Sequence, residues 1–318
     1  MLKKFGKDFI IYGLTSSISK FLGILLIPIY TRVFSPEDYG SMDIILTVFS
    51  FACILSMMQL ESAVARYFYS AKDENEKSIL ISTAMWSILF ASLIMVIVLL
   101  MSSDFLSFKL FGNSKYANVI FVAALIIPTA NLNSLFSIVV RFKKKPLHFL
   151  LFQGIQICIT ILSTLFLVLE IEIGIIGVFY GMLAGFSVSA LLTMYYLKNQ
   201  LLLTFCTSNL KMMMRYSLPL IPAVAGGWVN SYVNRFVMIA YMSLVEVGVF
   251  AVGLKIASIF QLIGAGFRMA WPPFFWDTYE NKKNHKELFV NLQQHISMIV
   301  LFIVVIITLF SKEIVVLV

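Results

Sequence analysis

Long apolar blocks separated by short polar ones dominate this chain. Ile79 to Met101, Leu147 to Leu169 and Phe289 to Phe310 are near-continuous apolar runs, each close to the roughly 20 residues a helix needs to cross a bilayer. The same reading carried along the sequence gives about nine spans, over about 8–33, 41–68, 79–101, 117–140, 147–169, 174–197, 213–241, 247–276 and 289–310. The longest polar stretches, about 70–78, 102–116, 198–212 and 277–288, leave no room for an inserted soluble domain. The first block follows Lys3, Lys4 and Lys7, as the core of a secretory signal would. It is interrupted by Lys20 and lacks a small-residue cleavage site, so it reads as a retained span. The predicted fold class is an all-α polytopic membrane protein.

Composition sharpens this picture. The 318 residues are 60% hydrophobic and 13% charged, with a mean hydropathy of +0.93, whereas a soluble domain carries about 25% charged residues. Most of the surface therefore faces lipid. A net charge of +8 would suggest nucleic acid on a soluble protein. Here the basic residues lie in short connections, no basic surface is interleaved with aromatics, and the charge reads as topology. With the N-terminus in the cytoplasm, Lys3, Lys4, Lys7, Arg66, Lys72, Lys77, Arg141, Lys143, Lys144, Lys145, Lys198, Lys211, Arg215, Lys282, Lys283 and Lys286 fall inside. Arg32, Lys109, Lys115 and Lys312 fall outside, a strong positive-inside bias. The run from Arg141 to Pro146 is its clearest element. It reads as a topology anchor, with a lipid-phosphate site as the alternative.

Several chemistries are excluded. Cys53, Cys158 and Cys206 form no close pair, and His148, His285 and His295 have no ligand spacing, so neither a disulfide framework nor a metal site is expected. No nucleophile elbow, Walker loop or paired-carboxylate motif appears, and the chain does not read as an enzyme. Gly177, Gly181 and Gly185 repeat at intervals of four, a helix-packing pattern.

Four basic residues lie within the apolar blocks: Lys20, Arg235, Lys255 and Arg268. An ionised group in hydrocarbon costs several kcal/mol, so it survives where it faces a wet cavity or a partner. Asp43 and Glu61 are the opposing charges in the spans, which leaves the buried balance cationic and suited to an anion. Lys20 lies on a polar stripe with Gly13, Ser16, Ser17, Gly23 and Thr31, spaced to share one helical face. Glu61 reads either as a structural counter-ion or as a protonatable coupling site. In the seventh span Pro219 and Pro222 predict that the helix bends or breaks. Asn230, Ser231, Asn234 and Arg235 follow, with polar pairs one turn apart. Lys255 and Arg268 are about 20 Å apart along one helix, too far to grip one phosphate together. Arg268 stands just before Trp271-Pro272-Pro273-Phe274-Phe275-Trp276, an interfacial belt into which it can also snorkel.

These features resemble the polysaccharide-export branch of the multidrug/oligosaccharidyl-lipid/polysaccharide exporter superfamily. The resemblance rests on Tyr30-Thr31-Arg32-Val33-Phe34-Ser35-Pro36-Glu37-Asp38-Tyr39-Gly40, Arg66-Tyr67-Phe68 and Leu218-Pro219-Leu220-Ile221-Pro222. It continues with Asn234-Arg235, Glu246-Val247-Gly248-Val249-Phe250 and Ala270-Trp271-Pro272-Pro273-Phe274, in that order. It implies two lobes around a central cavity lined by spans 1, 2, 7 and 8. It also implies flipping of undecaprenyl-diphosphate-linked oligosaccharides by alternating access, for capsule or O-antigen assembly.

On this basis residues 1–197 form a six-helix lobe, 198–212 a cytoplasmic linker, and 213–318 a second lobe of three spans that stops early, as in a truncated product. Asp38-Tyr39-Gly40 before span 2 echoes Glu246-Val247-Gly248 before span 8, as a two-lobe repeat would. Lys20, Arg235, Lys255, Arg268, Asn230 and Asn234 are the candidate substrate ligands. Glu61 and Asp43 are the candidate ion-coupling or counter-ion residues. No cofactor is expected beyond coupling to an H+ or Na+ gradient. The expected partners are the lipid-linked oligosaccharide, membrane lipids, and a glycan polymerase with glycosyltransferases; no nucleic acid is expected. The expected location is the cytoplasmic membrane. The alternatives are a cation-coupled multidrug exporter of the same superfamily and a membrane glycan polymerase or ligase.

Overall fold

The computed structural model describes residues 26–68, 70–143, 145–255, 257 and 285–309. Among these residues every regular element is helical, and five helices are long and apolar enough to cross a membrane. The chain divides into two units, residues 1–19 with 33–251 and residues 20–32 with 252–318. Of the second unit, the structure describes most of a short helix, α1 (Ile27–Val33), a few residues from 252 to 257, and a long helix, α11 (His285–Leu309). The first unit carries the rest.

Helix α2 (Pro36–Met57) starts where the sequence supplies every start signal. Ser35 is the N-cap and accepts the Asp38 N–H, Pro36 fills the first helical position, and Glu37 and Asp38 put negative charge on the positive end of the helix. Residues Tyr39 to Ile45 are all buried, so the first half of α2 is enclosed on every side. The second predicted span does not continue unbroken to residue 68. Met58 and Gln59 both adopt left-handed backbone, at φ 50° and 55°, and a separate helix α3 (Leu60–Tyr67) follows. Two successive non-glycine residues with positive φ are strained, at roughly 1–2 kcal/mol each. The break satisfies its own backbone: Met58 N–H donates to Ile54 O, and Gln59 O accepts from Ser62 and Ala63. No glycine or proline marks the place, so the apolar pattern reads straight through it.

Helix α4 (Glu74–Phe111) is 38 residues long and runs well past the expected end of its span near 101. The stretch 102–111 is polar enough to look like a loop, but nothing stops the helix before Gly112, which caps it at φ 73°. Its hydroxyls are absorbed locally, as where Ser102 Oγ donates to Val98 O at 2.7 Å. At the other end Asp73 and Glu76 cap reciprocally, Asp73 accepting the Glu76 N–H and Glu76 the Lys72 N–H, both at 2.7 Å. Helix α5 (Ala117–Phe142) follows, with Pro128 inside it. Then come α6 (Pro146–Leu165), which ends in a π-helical turn at Phe166–Glu170, and α7 (Ile176–Tyr196).

Packing is dominated by small residues and interhelical hydrogen bonds, as expected where lipid removes the hydrophobic drive between helices. A Cβ on Gly181 would stand 2.8 Å from Thr164 N, and one on Gly185 would stand 2.6 Å from Gln156 O. The glycine repeat is therefore what lets α7 lie directly on α6. Asn131 of α5 donates to Ser56 Oγ of α2 at 2.8 Å and to Ser92 Oγ of α4 at 3.0 Å, and Ser189 of α7 donates to Asn133 Oδ1 at 2.7 Å. An apolar cluster including Leu60, Val64, Ile81, Ile88, Phe136 and Val139 fills the space between α3, α4 and α5.

The stretch 198–212 is a short 3-10 turn (Lys198–Gln200), an extended segment and the start of helix α8 (Thr207–Ser217). It is tied to α4: Ser82 Oγ accepts the Leu202 N–H at 2.8 Å and Thr83 Oγ1 accepts the Cys206 N–H at 3.1 Å. A 3-10 turn at Leu218–Leu220 leads into α9 (Ile221–Tyr241). The two prolines stand where the predicted seventh span breaks into two helices. Pro219 sits in the 3-10 turn and Pro222 in the first turn of α9, where a missing N–H costs nothing. Residues 244–255 form the next helix, α10, of which 244–251 belong to the first unit.

Candidate functional site

The arginine at position 235 is the one buried residue of α9. Everything else on Ile221–Tyr241 is half-buried or exposed, so this helix turns its only cation inward. Arg235 Nε donates to Asp43 Oδ2 of α2 at 2.7 Å, and the two side chains are 9% and 11% exposed. Arg235 Nη1 donates to Ser231 O at 2.9 Å and to Asn234 Oδ1 at 3.1 Å. The Tyr232 ring lies 4.8 Å from Arg235 Cζ, within cation–π reach. The contact to Asp43 is a single N–H···O bond rather than the two-pronged fork that makes Arg–carboxylate pairs strong.

One turn along α9 from Tyr232, Trp228 adds a second bridge to α2. Its Nε1 donates to Ser50 Oγ at 2.8 Å, its ring lies 4.5 Å from Phe51, and it stacks on Tyr232 at 5.5 Å. The sequence reading passed over Trp228 and Tyr232. The signal was present: Trp228, Tyr232 and Phe236 recur every four residues and share a face next to Arg235.

The remaining predicted site residues fall as follows. Asn234 is half-buried and part of the Arg235 cluster, whereas Asn230 is exposed. Asp43 is paired with Arg235 in the structure. Glu61 lies just beyond the break in span 2, where its Oε2 accepts from Ser134 Oγ of α5 at 2.7 Å. Among the described residues it is paired with a hydroxyl and with no basic side chain. Lys255 is half-buried in α10, in the second unit. Lys20 and Arg268 lie outside the described residues.

The basic connection after α5 is built on aromatic rings. Arg141 lies over Phe149 at 5.5 Å and Lys143 over Tyr196 at 5.8 Å. Burial against these rings pushes the Lys143 ammonium below its usual value. Arg66, at the end of α3, lies 4.9 Å from the Tyr216 ring of α8.

A family profile described as "Polysaccharide biosynthesis protein" matches residues 5–279. The chain belongs to the polysaccharide biosynthesis protein family. No curated protein matches it. Among solved structures, this family member is similar to a multidrug resistance MATE family transporter of the MOP superfamily in its inward-facing conformation. That match has a TM-score of 0.69 and 17% identity, and covers 94% of this chain and 75% of the other. The outward-facing conformation of such a transporter gives a TM-score of 0.59 at 17% identity, over 96% of this chain and 73% of the other. A MATE structure in the straight conformation gives 0.61 at 19% identity, over 96% and 71%. This polysaccharide biosynthesis protein is thus a multi-pass membrane protein with a MATE-like transporter fold, as the resemblance in its sequence implies.

Proposed function

We propose that this chain flips a polyprenyl-diphosphate-linked oligosaccharide across the cytoplasmic membrane for surface polysaccharide assembly. The observation that carries this reading is a polysaccharide biosynthesis family match over residues 5–279 on a MATE-like transporter fold. Polysaccharide assembly needs its lipid-linked intermediates moved between leaflets, and a helical bundle with polar groups inside suits that task. Arg235 contributes a buried guanidinium flanked by the Asn234 amide and the Tyr232 ring, and guanidinium is a natural partner of phosphate. In this reading Lys20, Lys255 and Arg268 supply further positive charge, Asn230 and Asn234 bond glycan or phosphate oxygens, and Glu61 or Asp43 couples transport to an H+ or Na+ gradient. Residues 1–197 and 213–318 act as two lobes joined by 198–212, with the N-terminus in the cytoplasm. A glycan polymerase and glycosyltransferases work on either side of the step.

The test is complementation in a strain lacking its own flippase. Alanine at Lys20, Arg235 and Lys255 together should abolish surface glycan while the protein stays in the membrane. Normal surface glycan with the triple variant would end the proposal.

One observation favours a second reading. Asp43 balances Arg235, and Glu61 holds its carboxylate beside Ser134 with no basic group among the described residues bonded to it. A less cationic interior suits a cation-coupled drug exporter. That reading predicts increased tolerance to cationic dyes on expression, which a lipid-diphosphate flippase would not give.

A further inference from the structure

The basic turn between α5 and α6 and the end of α7 meet on one set of aromatic rings. Lys143 lies over the Tyr196 ring at 5.8 Å, and the His148 ring lies 4.7 Å from the same tyrosine. Lys198 lies over Tyr195 at 4.5 Å and Arg141 over Phe149 at 5.5 Å. Tyr195 and Tyr196 close α7, while His148 and Phe149 stand in the first turn of α6. The close approach at Gly181 and Gly185 lays α7 on α6 and so brings these two ends together. Ring contact restrains long side chains that otherwise sample many rotamers, so the charges are held in place.

Next to the cations both helices turn apolar at exposed positions. Leu147 and Leu151 of α6 are exposed, as are Leu191 and Tyr195 of α7. Lys145 stands two residues before Leu147, and Lys198 three residues after Tyr195. The change from apolar to charged surface therefore takes about 5 Å along each of two packed helices. Such a change marks the boundary between acyl chains and headgroups. Helix α6 is also the least buried of the five long apolar helices described, so its wall is open to lipid.

The charge balance leaves room for an anion. Burial disfavours the Lys143 ammonium; Glu74 favours it, but Glu74 is itself bonded to Lys77 at 2.6 Å. Lys145 and Lys198 are exposed, and neither forms an ion pair among the described residues. Lysines set just beyond a lipid-facing apolar wall match a phosphate carried above acyl chains.

We propose that the α5–α6 turn and the end of α7 form a binding site for an anionic phospholipid. Lys143, Lys145 and Lys198 hold its phosphate, and its acyl chains lie along Leu147, Leu151 and Leu191. In the orientation proposed above, the lipid belongs to the cytoplasmic leaflet. Lys198 opens the segment 198–212, so the bound lipid ties the start of that segment to the α5–α6 turn. The site needs no transport substrate and stands whether the chain moves a lipid-linked glycan or a drug.

The test is native mass spectrometry of the full chain purified in detergent and titrated with phosphatidylglycerol or phosphatidylcholine. Solubilised protein has no inside or outside, so the readout is separate from any role of these lysines in topology. The parent should bind phosphatidylglycerol at least about tenfold more tightly than phosphatidylcholine. Lys143→Gln, Lys145→Gln and Lys198→Gln should each weaken phosphatidylglycerol binding roughly fivefold, and together should erase the preference. Lys72→Gln, Lys211→Gln and Arg215→Gln together remove the same charge elsewhere and should leave the preference intact. A parent without the preference, a lysine triple variant that keeps it, or a control triple that loses it equally overturns the site. Should the lysine triple variant fail to fold, Lys198→Gln, on an exposed turn, decides alone. Undecaprenyl phosphate at equal concentration should not displace phosphatidylglycerol. Displacement would assign the surface to the carrier lipid and overturn the phospholipid claim.

Discussion

Arg235 Nε bonds Asp43 Oδ2 at 2.7 Å across 192 residues of sequence, and with it the only buried side chain of α9 is neutralised by the buried half of α2. Removing one member strands the other in a poorly solvated place. Breaking a buried pair in this way costs about 3 kcal/mol. Asp43→Ala should therefore lower the thermal midpoint in detergent markedly. Asp43→Asn should lower it less, because the amide oxygen still accepts from Arg235. Equal midpoints for the parent and the alanine variant would show that the pair contributes nothing to stability.

The contact of α7 on α6 depends on the absence of side chains at two positions. Gly181→Leu and Gly185→Leu should each force the helices apart, because the atoms met are backbone as well as threonine side chains. Overpacking of this kind costs roughly 1–3 kcal/mol. Membrane yield and midpoint should both fall, while Gly154→Leu, whose Cβ meets nothing within 4 Å, should be tolerated. A yield at Gly154→Leu as poor as at Gly181→Leu would refute the packing account.

Asn131 joins three helices through two hydroxyl partners. Asn131→Leu leaves Ser56 and Ser92 without the amide donor, for a loss of about 1–2 kcal/mol by the measure of interhelical hydrogen bonds in membranes. Replacing Ser56 and Ser92 by alanine in the same background should add little further loss, since the network is already broken. Fully additive losses, read as thermal midpoints, would argue against a shared network.

Glu246 predicts a pH dependence at the start of α10. The Ser243 N–H and O–H bond its carboxylate at 2.7 and 3.0 Å and hold its pKa below the ordinary value of 4.5. A depressed folded-state pKa stabilises above the unfolded value and stops doing so as pH falls through the lowered one. Hydrogen exchange at residues 244–251 should therefore lose protection below pH 4.5 in the parent. Glu246→Gln, which cannot titrate, should remove that step, and a step that persists in it would assign the effect elsewhere.

Much of this molecule was legible from residue order. Apolar block length predicted α5, α6 and α7 to within a few residues, because a lipid-facing helix must be apolar for its whole crossing. The caps at Ser35 and Asp73 are local chemistry and need no tertiary information. The break at Met58–Gln59 and the extension of α4 past residue 101 were not legible. The first follows no glycine or proline, and the second continues through a polar stretch of which only packing shows Ser103 and Ser107 to be turned inward.

The sequence by itself determined that this is a helical membrane protein, that glycines recur within its spans, and that an aspartate and an arginine lie at positions lipid should disfavour. Tertiary structure decided what those residues do: Gly40 meets Gly248, and Asp43 meets Arg235. Charge and missing side chains are properties of one residue, but neutralisation and close approach belong to pairs. Pairs distant in the chain are chosen only when the helices pack.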